Sequence, residues 1–241
     1  SEGQNEQIIG RSIDGWIYYL PNDGQQWIPL ENIPNGSDIQ KVEADPNAQK
    51  LYATTGSWGL LYSNNYGQTW SVQNFNNANP NTGLVPRISY LKGLDNKLFV
   101  SFPLYQSNGS VFSKIYYSTN GASSHQLIGT LNTYVYDVEY INSSQNELWI
   151  GTQHGLYYTS NILNSAMTLV GFENQQVVRL ETNANEIFAA VYDGNFSQIY
   201  HSSNAGSSWS VLANQPEMKI VWDMEMTGNE NPFFEHFDEV L

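Results

Sequence analysis

One pattern recurs along the 241 residues, and it leaves few folds open. Each copy reads as an alternating strand, a turn, a second short strand, a glycine turn, then a Tyr-Ser step, an Asn turn and Trp. The clearest copy runs Val42-Glu43-Ala44, Lys50-Leu51-Tyr52-Ala53-Thr54, Gly59-Leu60-Leu61-Tyr62 and Ser63-Asn64-Asn65-Tyr66-Gly67-Gln68-Thr69-Trp70. A second runs Val138-Glu139-Tyr140, Glu147-Leu148-Trp149-Ile150-Gly151, Gly155-Leu156-Tyr157-Tyr158 and Thr159-Ser160-Asn161. A third runs Leu180-Glu181-Thr182, Glu186-Ile187-Phe188-Ala189-Ala190, Gln198-Ile199-Tyr200-His201 and Ser202–Trp209; a looser one spans Leu91 to Gly121. Turn glycines are assigned to Gly24, Gly67, Gly121 and Gly206, with Leu163 at that place in the remaining copy. The repeat is roughly 42–54 residues long, the length of a four-stranded propeller blade.

Period-two alternation and the abundance of β-branched and aromatic residues make these segments strands, and no dozen-residue window carries a helical apolar stripe. The expected fold is all-β: a single five-bladed β-propeller of four-stranded antiparallel blades over 1–241. The first copy supplies only three strands, from Ile8-Ile9-Gly10, Gly15-Trp16-Ile17-Tyr18-Tyr19 and the segment ending at Trp27. Its innermost strand is expected from the other end of the chain, Lys219–Met226 pairing beside Ile8–Arg11, which would close the ring and leave no free sheet edge. Residues 228–241 then read as a C-terminal extension.

Composition narrows the partners. Charged residues make up 13% of the chain, and nine Lys plus Arg against 23 Asp plus Glu give a net charge of −14. A nucleic-acid partner needs a basic patch to neutralise phosphates, and the scattered basic residues form none. There is no cysteine, hence no disulfide, thiolate metal site or cysteine nucleophile. No run of about eighteen apolar residues exists to span a membrane. The four Asn-x-Ser sequons at Asn35, Asn108, Asn142 and Asn195 occur about as often as chance predicts in so Asn- and Ser-rich a chain.

Ser63–Trp70 and Ser202–Trp209 resemble the Asp-box (BNR) motif Ser-x-Asp-x-Gly-x-Thr-Trp, with Asn65 and Asn204 in place of Asp; Leu20–Trp27, Ser118–His125 and Thr159–Ala166 are degraded copies. The resemblance implies a structural hairpin between the third and fourth strands of a blade. In it Asn accepts backbone N–H bonds, Gly takes positive φ and Trp packs beneath. Proteins with such boxes include sialidases, sortilin-like receptors, xyloglucan hydrolases and photosystem assembly factors, so the fold alone does not choose a function. Sialidases use three arginines, and this chain has three, Arg11, Arg87 and Arg179. It lacks the Phe-Arg-Ile-Pro start, however, and Arg87 sits in Val85-Pro86-Arg87-Ile88.

No catalytic residue, metal site or cofactor is assigned. Aligned inner strands give two polar rungs: Asp223, Lys41, Tyr90, Asp137, Arg179, and Glu225, Glu43, Lys92, Glu139, Glu181. The first alternates in sign and is expected to form ion pairs, Asp223 with Lys41 or Arg179 and Asp137 with Arg179. The second is acidic, and Glu43, Glu139, Glu181 and Glu225 are candidates to hold a cation or a partner's basic side chain. Propeller partners meet the face made by second-to-third-strand loops and inter-blade loops. Here those loops carry Trp58, Tyr105, His154, Tyr192, Asp193 and Phe196, and include the long Asn74–Leu84 and Phe102–Ser113 segments. Asp193-Gly194-Asn195 reads as an ordinary turn in preference to part of a calcium loop. The expected function is a non-catalytic protein-interaction module, secreted or in the envelope of a Gram-negative bacterium, with lipoprotein tethering or membership of a larger assembly left open. The alternative is a carbohydrate-binding or glycan-processing propeller acting on a glycan at the same face.

Overall fold

The structure, a computed structural model, describes residues 8–11, 17–20, 26–30, 39–45, 50–55, 59–65, 67–73, 87–90, 97–121, 123–142, 147–183, 186–227 and 231–236. Every regular element among them is a β-strand, and every strand pairing is antiparallel. β1 (Ile8–Arg11), β2 (Ile17–Leu20) and β3 (Ile28–Pro29) form a sheet in chain order, as do β4 (Ile39–Asp45), β5 (Lys50–Thr55), β6 (Gly59–Ser63) and β7 (Ser71–Gln73). β8 (Arg87–Tyr90), β9 (Leu98–Tyr105), β10 (Val111–Ser118) and β11 (Gln126–Leu131) are ordered β11-β10-β9-β8. β12 (Val135–Asn142), β13 (Glu147–Thr152), β14 (Gly155–Thr159) and β15 (Thr168–Gly171) make the next sheet, and β16 (Gln176–Asn183), β17 (Glu186–Tyr192), β18 (Ser197–Ser202) and β19 (Ser210–Val211) another. β20 (Val221–Thr227) and β21 (Asn231–His236) pair with each other.

The chain divides into two compact units, Ser1–Leu98 with Ser118–His125, and Phe99–Tyr117 with Gln126–Leu241. In the first, Leu30, Ile39, Leu51, Ala53 and Leu61 form a core on which Val42, Trp70 and Val72 pack. In the second, β17 shows why the apolar runs are continuous. Ile187, Ala189 and Val191 join one cluster with Trp149 and Leu156 of the preceding sheet, while Phe188 and Ala190 join another with Met218, Val221 and Met224. Successive side chains leave opposite faces of a strand, so a strand covered on both sides must be apolar at every position. Each such Val, Leu, Ile or Phe contributes roughly 1.5–3 kcal/mol on full burial.

Four inner strands carry the same irregularity. The register slips by one residue between Ile39 and Lys41, Val135 and Asp137, Val177 and Arg179, and Val221 and Asp223. A bulge of this kind bends a strand and re-aims the side chains on its far side. Past the bulge the registers agree again. Glu43 lies opposite Tyr52, Glu139 opposite Trp149, Glu181 opposite Phe188 and Glu225 opposite Phe233, so these four strands share the alignment behind the polar rungs; Lys92 of the remaining strand lies outside the described residues.

The turns that carry the motif also repeat. Ser63 Oγ accepts the Gly67 N–H at 2.8 Å and donates to Asn65 Oδ1 at 2.9 Å. That Oδ1 also accepts the Thr69 N–H at 2.9 Å, and Asn65 Nδ2 donates to Thr69 Oγ1 at 2.9 Å. Ser202, Asn204, Gly206 and Ser208 form the same set, and so do Ser118, Asn120 and Ser124 apart from the glycine bond. The hydroxyl residue is buried in all of them. Gly67 and Gly206 take φ of 79° and 77°, and each faces the preceding repeat: a Cβ on Gly67 would meet Leu30, just past β3, and one on Gly206 would meet Trp149 of β13. In the turn after Thr159, Asn161 Oδ1 instead accepts the Leu163 N–H at 3.0 Å, two residues on.

Within the expected C-terminal extension, Asn231–His236 is a strand, β21, that pairs with β20, and β1 pairs with β2. Two expectations need correction. Gly121 stands three residues after its buried hydroxyl, the place of Ala205 and not of Gly206; both take positive φ, 62° and 50°. Phe102–Ser113 is mostly strand, with a turn only at 106–110, because Phe102 and Ser113 are buried and keep the hairpin paired.

Candidate functional site

In the second unit the β9–β10, β13–β14 and β17–β18 hairpins hold most of the expected loop-face residues. In the β13–β14 turn, Thr152 Oγ1 donates to the Gly155 carbonyl at 2.7 Å and accepts the His154 N–H at 3.2 Å, leaving the His154 side chain exposed. The neighbouring Gln153 N–H donates to the Tyr134 carbonyl at 2.9 Å, which ties this turn to the start of β12. In the β17–β18 turn, Asp193 Oδ1 accepts the N–H groups of Asn195 at 2.8 Å and Phe196 at 3.0 Å. Tyr192 donates its phenol to the Gly194 carbonyl at 2.7 Å, and the Phe196 ring is 40% exposed. The N–H groups of Phe196 and then Asn195 hold the Asp193 carboxyl below its ordinary range. The Asp193-Gly194-Asn195 segment is therefore a turn closed by its own carboxylate. In the β9–β10 turn Tyr105 is 63% exposed, and Asn108 Oδ1 accepts from Ser110.

The structure thus brings Tyr192, Asp193 and Phe196 together on one hairpin and sets Tyr105 and His154 on two others. Trp58 and 74–84 lie outside the described residues. Sequence reasoning missed a neighbouring group. The Tyr134 and Tyr136 rings stand 5.1 Å apart, and Tyr136 donates to Gln176 Oε1 at 2.8 Å. Gln176 is the register partner of Tyr192, so Tyr136 is bonded to the residue that faces Tyr192 in the adjacent sheet. Tyr136 and Tyr192 both pack on the cluster around Val178 and Met218. The alternation in Tyr134-Val135-Tyr136 was the available signal, since it puts both tyrosines on one side of a strand end.

The polar rungs behave differently from expectation. Asp137 Oδ2 accepts the Leu180 N–H of the next sheet at 3.0 Å, and its Oδ1 accepts the Val138 N–H at 3.0 Å. Arg179 Nη1 donates to the Val178 carbonyl at 2.6 Å. Where an ion pair with Arg179 was expected, Asp137 makes a charge-assisted bond to the backbone of the next sheet. The side chains of Asp223 and Lys41 lie outside what the structure describes, as do those of Glu43 and Glu225. Glu139 and Glu181 are half-buried on separate strands, opposite Trp149 and Phe188. Among the described residues no three His, Asp or Glu side chains converge as metal ligands would, and no helix is long and apolar enough to cross a membrane.

No protein-family profile matches the chain. No curated protein matches it either. Solved structures do. An ancestral GH74 enzyme superposes with a TM-score of 0.65 at 18% identity, over 88% of this chain and 30% of its own. The GH74 xyloglucanase of Xanthomonas campestris gives 0.66 at 12% identity, over 88% and 36%. A chain of the nidogen/laminin complex gives 0.60 at 13% identity, over 85% and 74%. This chain therefore spans about a third of the length of the GH74 enzymes it matches. At such identities the likeness speaks to fold alone: these four-stranded antiparallel sheets are those of β-propeller proteins.

Proposed function

We propose that this chain is a non-catalytic, Asp-box-type propeller of five repeats within 1–241, acting as a protein-interaction module of the cell envelope or exterior. Its partner docks on the hairpin face. The observation that carries this reading is the β17–β18 hairpin, where Phe196 is exposed on a turn held by Asp193 and buttressed by Tyr192. An aromatic ring on a pre-ordered turn loses little entropy on binding, which is what an interface anchor needs. A glycosidase would need two carboxyls across a bond, one with a raised pKa. The carboxyl on this face, Asp193, is shifted the other way.

Likeness to GH74 enzymes and to the oligogalacturonate lyase of Vibrio parahaemolyticus favours a second reading, a glycan-binding or glycan-processing propeller. One experiment separates the two. The purified chain is assayed against a panel of polysaccharides for turnover and for binding, beside Phe196→Ala and Tyr192→Ala. The interaction-module reading expects no turnover, and weakened partner binding by both variants at melting temperatures within a few degrees of the parent. Turnover abolished by Glu139→Gln or Glu181→Gln would overturn it.

A further inference from the structure

Two of the hairpins on this face carry an Asx-Gly pair at the tip, Asn108-Gly109 and Asp193-Gly194, and both fold the Asx side chain forward. Asn108 Oδ1 accepts the Ser110 backbone N–H at 3.0 Å and the Ser110 hydroxyl at 2.7 Å. Asp193 Oδ1 accepts from the two residues following Gly194. Both glycines have positive φ, 84° and 108°, with nothing within 4 Å of the place a Cβ would occupy. The amide nitrogen that follows each Asx residue is therefore unscreened by a side chain.

We propose that Asn108 is a site of self-modification, in which the Gly109 backbone nitrogen attacks Asn108 Cγ and converts the residue to aspartate or isoaspartate. The Gly109 N–Cγ bond forms and the Cγ–Nδ2 bond breaks. The Gly109 amide proton passes by way of solvent to the departing nitrogen, which leaves as ammonia. Water then opens the resulting succinimide at either carbonyl. No electron is transferred, and water is the one co-reactant. The two donors from Ser110 sit on the oxygen where negative charge develops in the tetrahedral intermediate, the placement that stabilises an oxyanion. Gly109 N–H also donates to the Gln106 carbonyl at 3.0 Å, so attack follows opening of that bond. Bonds at exposed loop tips open locally at small free-energy cost.

The chain supplies its own comparisons. Asn120-Gly121 is an Asn-Gly pair in a different setting. Its Oδ1 accepts from Ser124 N–H at 2.8 Å and from the Ser118 hydroxyl at 3.0 Å, while its Nδ2 donates to Ser124 Oγ at 2.8 Å. The would-be leaving nitrogen is anchored, and the side chain spans the turn. Asp193 has the forward-folded geometry of Asn108 but an ionised carboxylate, a poor electrophile, and its backbone donors keep it ionised. The third Asn-Gly pair, Asn35-Gly36, lies outside the described residues. Conversion at 108 adds a negative charge to a hairpin tip and, as isoaspartate, a methylene to its backbone. If the hairpin face binds a partner as proposed above, affinity then drifts with the age of the protein.

The test is warm, mildly alkaline incubation of the folded full chain, with peptide mapping by mass spectrometry over time. The peptide holding 108–109 should gain about one dalton and resolve into aspartate and isoaspartate forms, while the peptide holding 120–121 stays unchanged. In urea both should convert. Gly109→Ala should slow conversion at 108 by roughly an order of magnitude, since a Cβ disfavours the positive φ and shields the nitrogen. Ser110→Ala should slow it several-fold, and it keeps the test decisive if the glycine variant perturbs the hairpin. Retention of the amide at 108 in the folded chain, or conversion no faster than at 120, overturns the proposal. Neither result depends on whether a partner binds.

Discussion

Alanine at Gly206 should destabilise the chain far more than alanine at Gly109, and the difference measures how firmly a turn is seated on the sheet before it. The two glycines share a backbone conformation, φ 77° and 84°. Left-handed geometry costs an alanine about 1–2 kcal/mol at either site. They differ in surroundings. At Gly109 a Cβ meets nothing within 4 Å, whereas at Gly206 it would press on Cη2 of Trp149 and lie 2.9 and 3.1 Å from Cζ3 and Cζ2. Trp149 is 3% exposed and held among Leu156, Val177 and Leu180, so the ring has nowhere to swing. Overpacking of this kind adds typically about 1–3 kcal/mol. Gly206→Ala should therefore cost about 2–5 kcal/mol, and Gly109→Ala about 1–2. In a chain of this length that corresponds to a melting temperature lowered by roughly 4–20 °C against roughly 2–8 °C. Urea unfolding followed by circular dichroism measures both. A double-mutant cycle with Trp149→Phe, which removes the offending half of the indole, should show a coupling of about 1 kcal/mol or more. Equal losses at the two glycines, or an additive cycle, would refute the seating argument.

Two further outcomes rest on single side chains. Asp137→Ala should cost about 1–3 kcal/mol by leaving the Leu180 and Val138 N–H groups without an acceptor, and Asp137→Asn should recover part of it; urea midpoints equal to the parent would mean that the bond between sheets is not formed. Burial lowers the pKa of His125, which stands where other copies have Trp, below its ordinary 6.5, so the unfolded chain takes up the proton first and stability should fall as pH drops through that value. His125→Trp should flatten that part of the pH–stability curve, and an unchanged slope would rule His125 out as its source.

The strands and their alignment were legible because burial on both faces forces a long apolar signature, as in Glu186–Tyr192, and the glycine-marked turns set the spacing. The bulge was not. Gln40, Tyr136, Val178 and Trp222 occupy it and share no chemistry, so one extra residue in a strand leaves no compositional trace. Alternating charge made Asp137 look like a partner for Arg179, whereas its carboxylate bonds the Leu180 and Val138 N–H groups. The C-terminal hairpin was overlooked because Asn231–His236 begins Asn-Pro, which reads as loop, although Phe233 and Phe234 come directly after. On the hairpin face, exposed rings such as Tyr105 and Phe196 could be found one at a time. The link from Tyr136 through Gln176 to Tyr192 spans two repeats, and no local window contains it.

The seating of Gly67 against Leu30 and of Gly206 against Trp149 bears on how such a chain could have arisen. These two repeats each carry a plug, the glycine turn, seated in a socket, the apolar wall offered by the repeat before. An in-frame duplication of one segment arrives with both halves of its joint already matched, so the number of repeats can change without inventing a new interface. Inheritance of that kind constrains the joint and releases the opposite rim. The tips at 106–110, 153–154 and 193–196 are then free to diverge from one copy to the next: two keep an Asx-Gly pair, and Gln153-His154 has none.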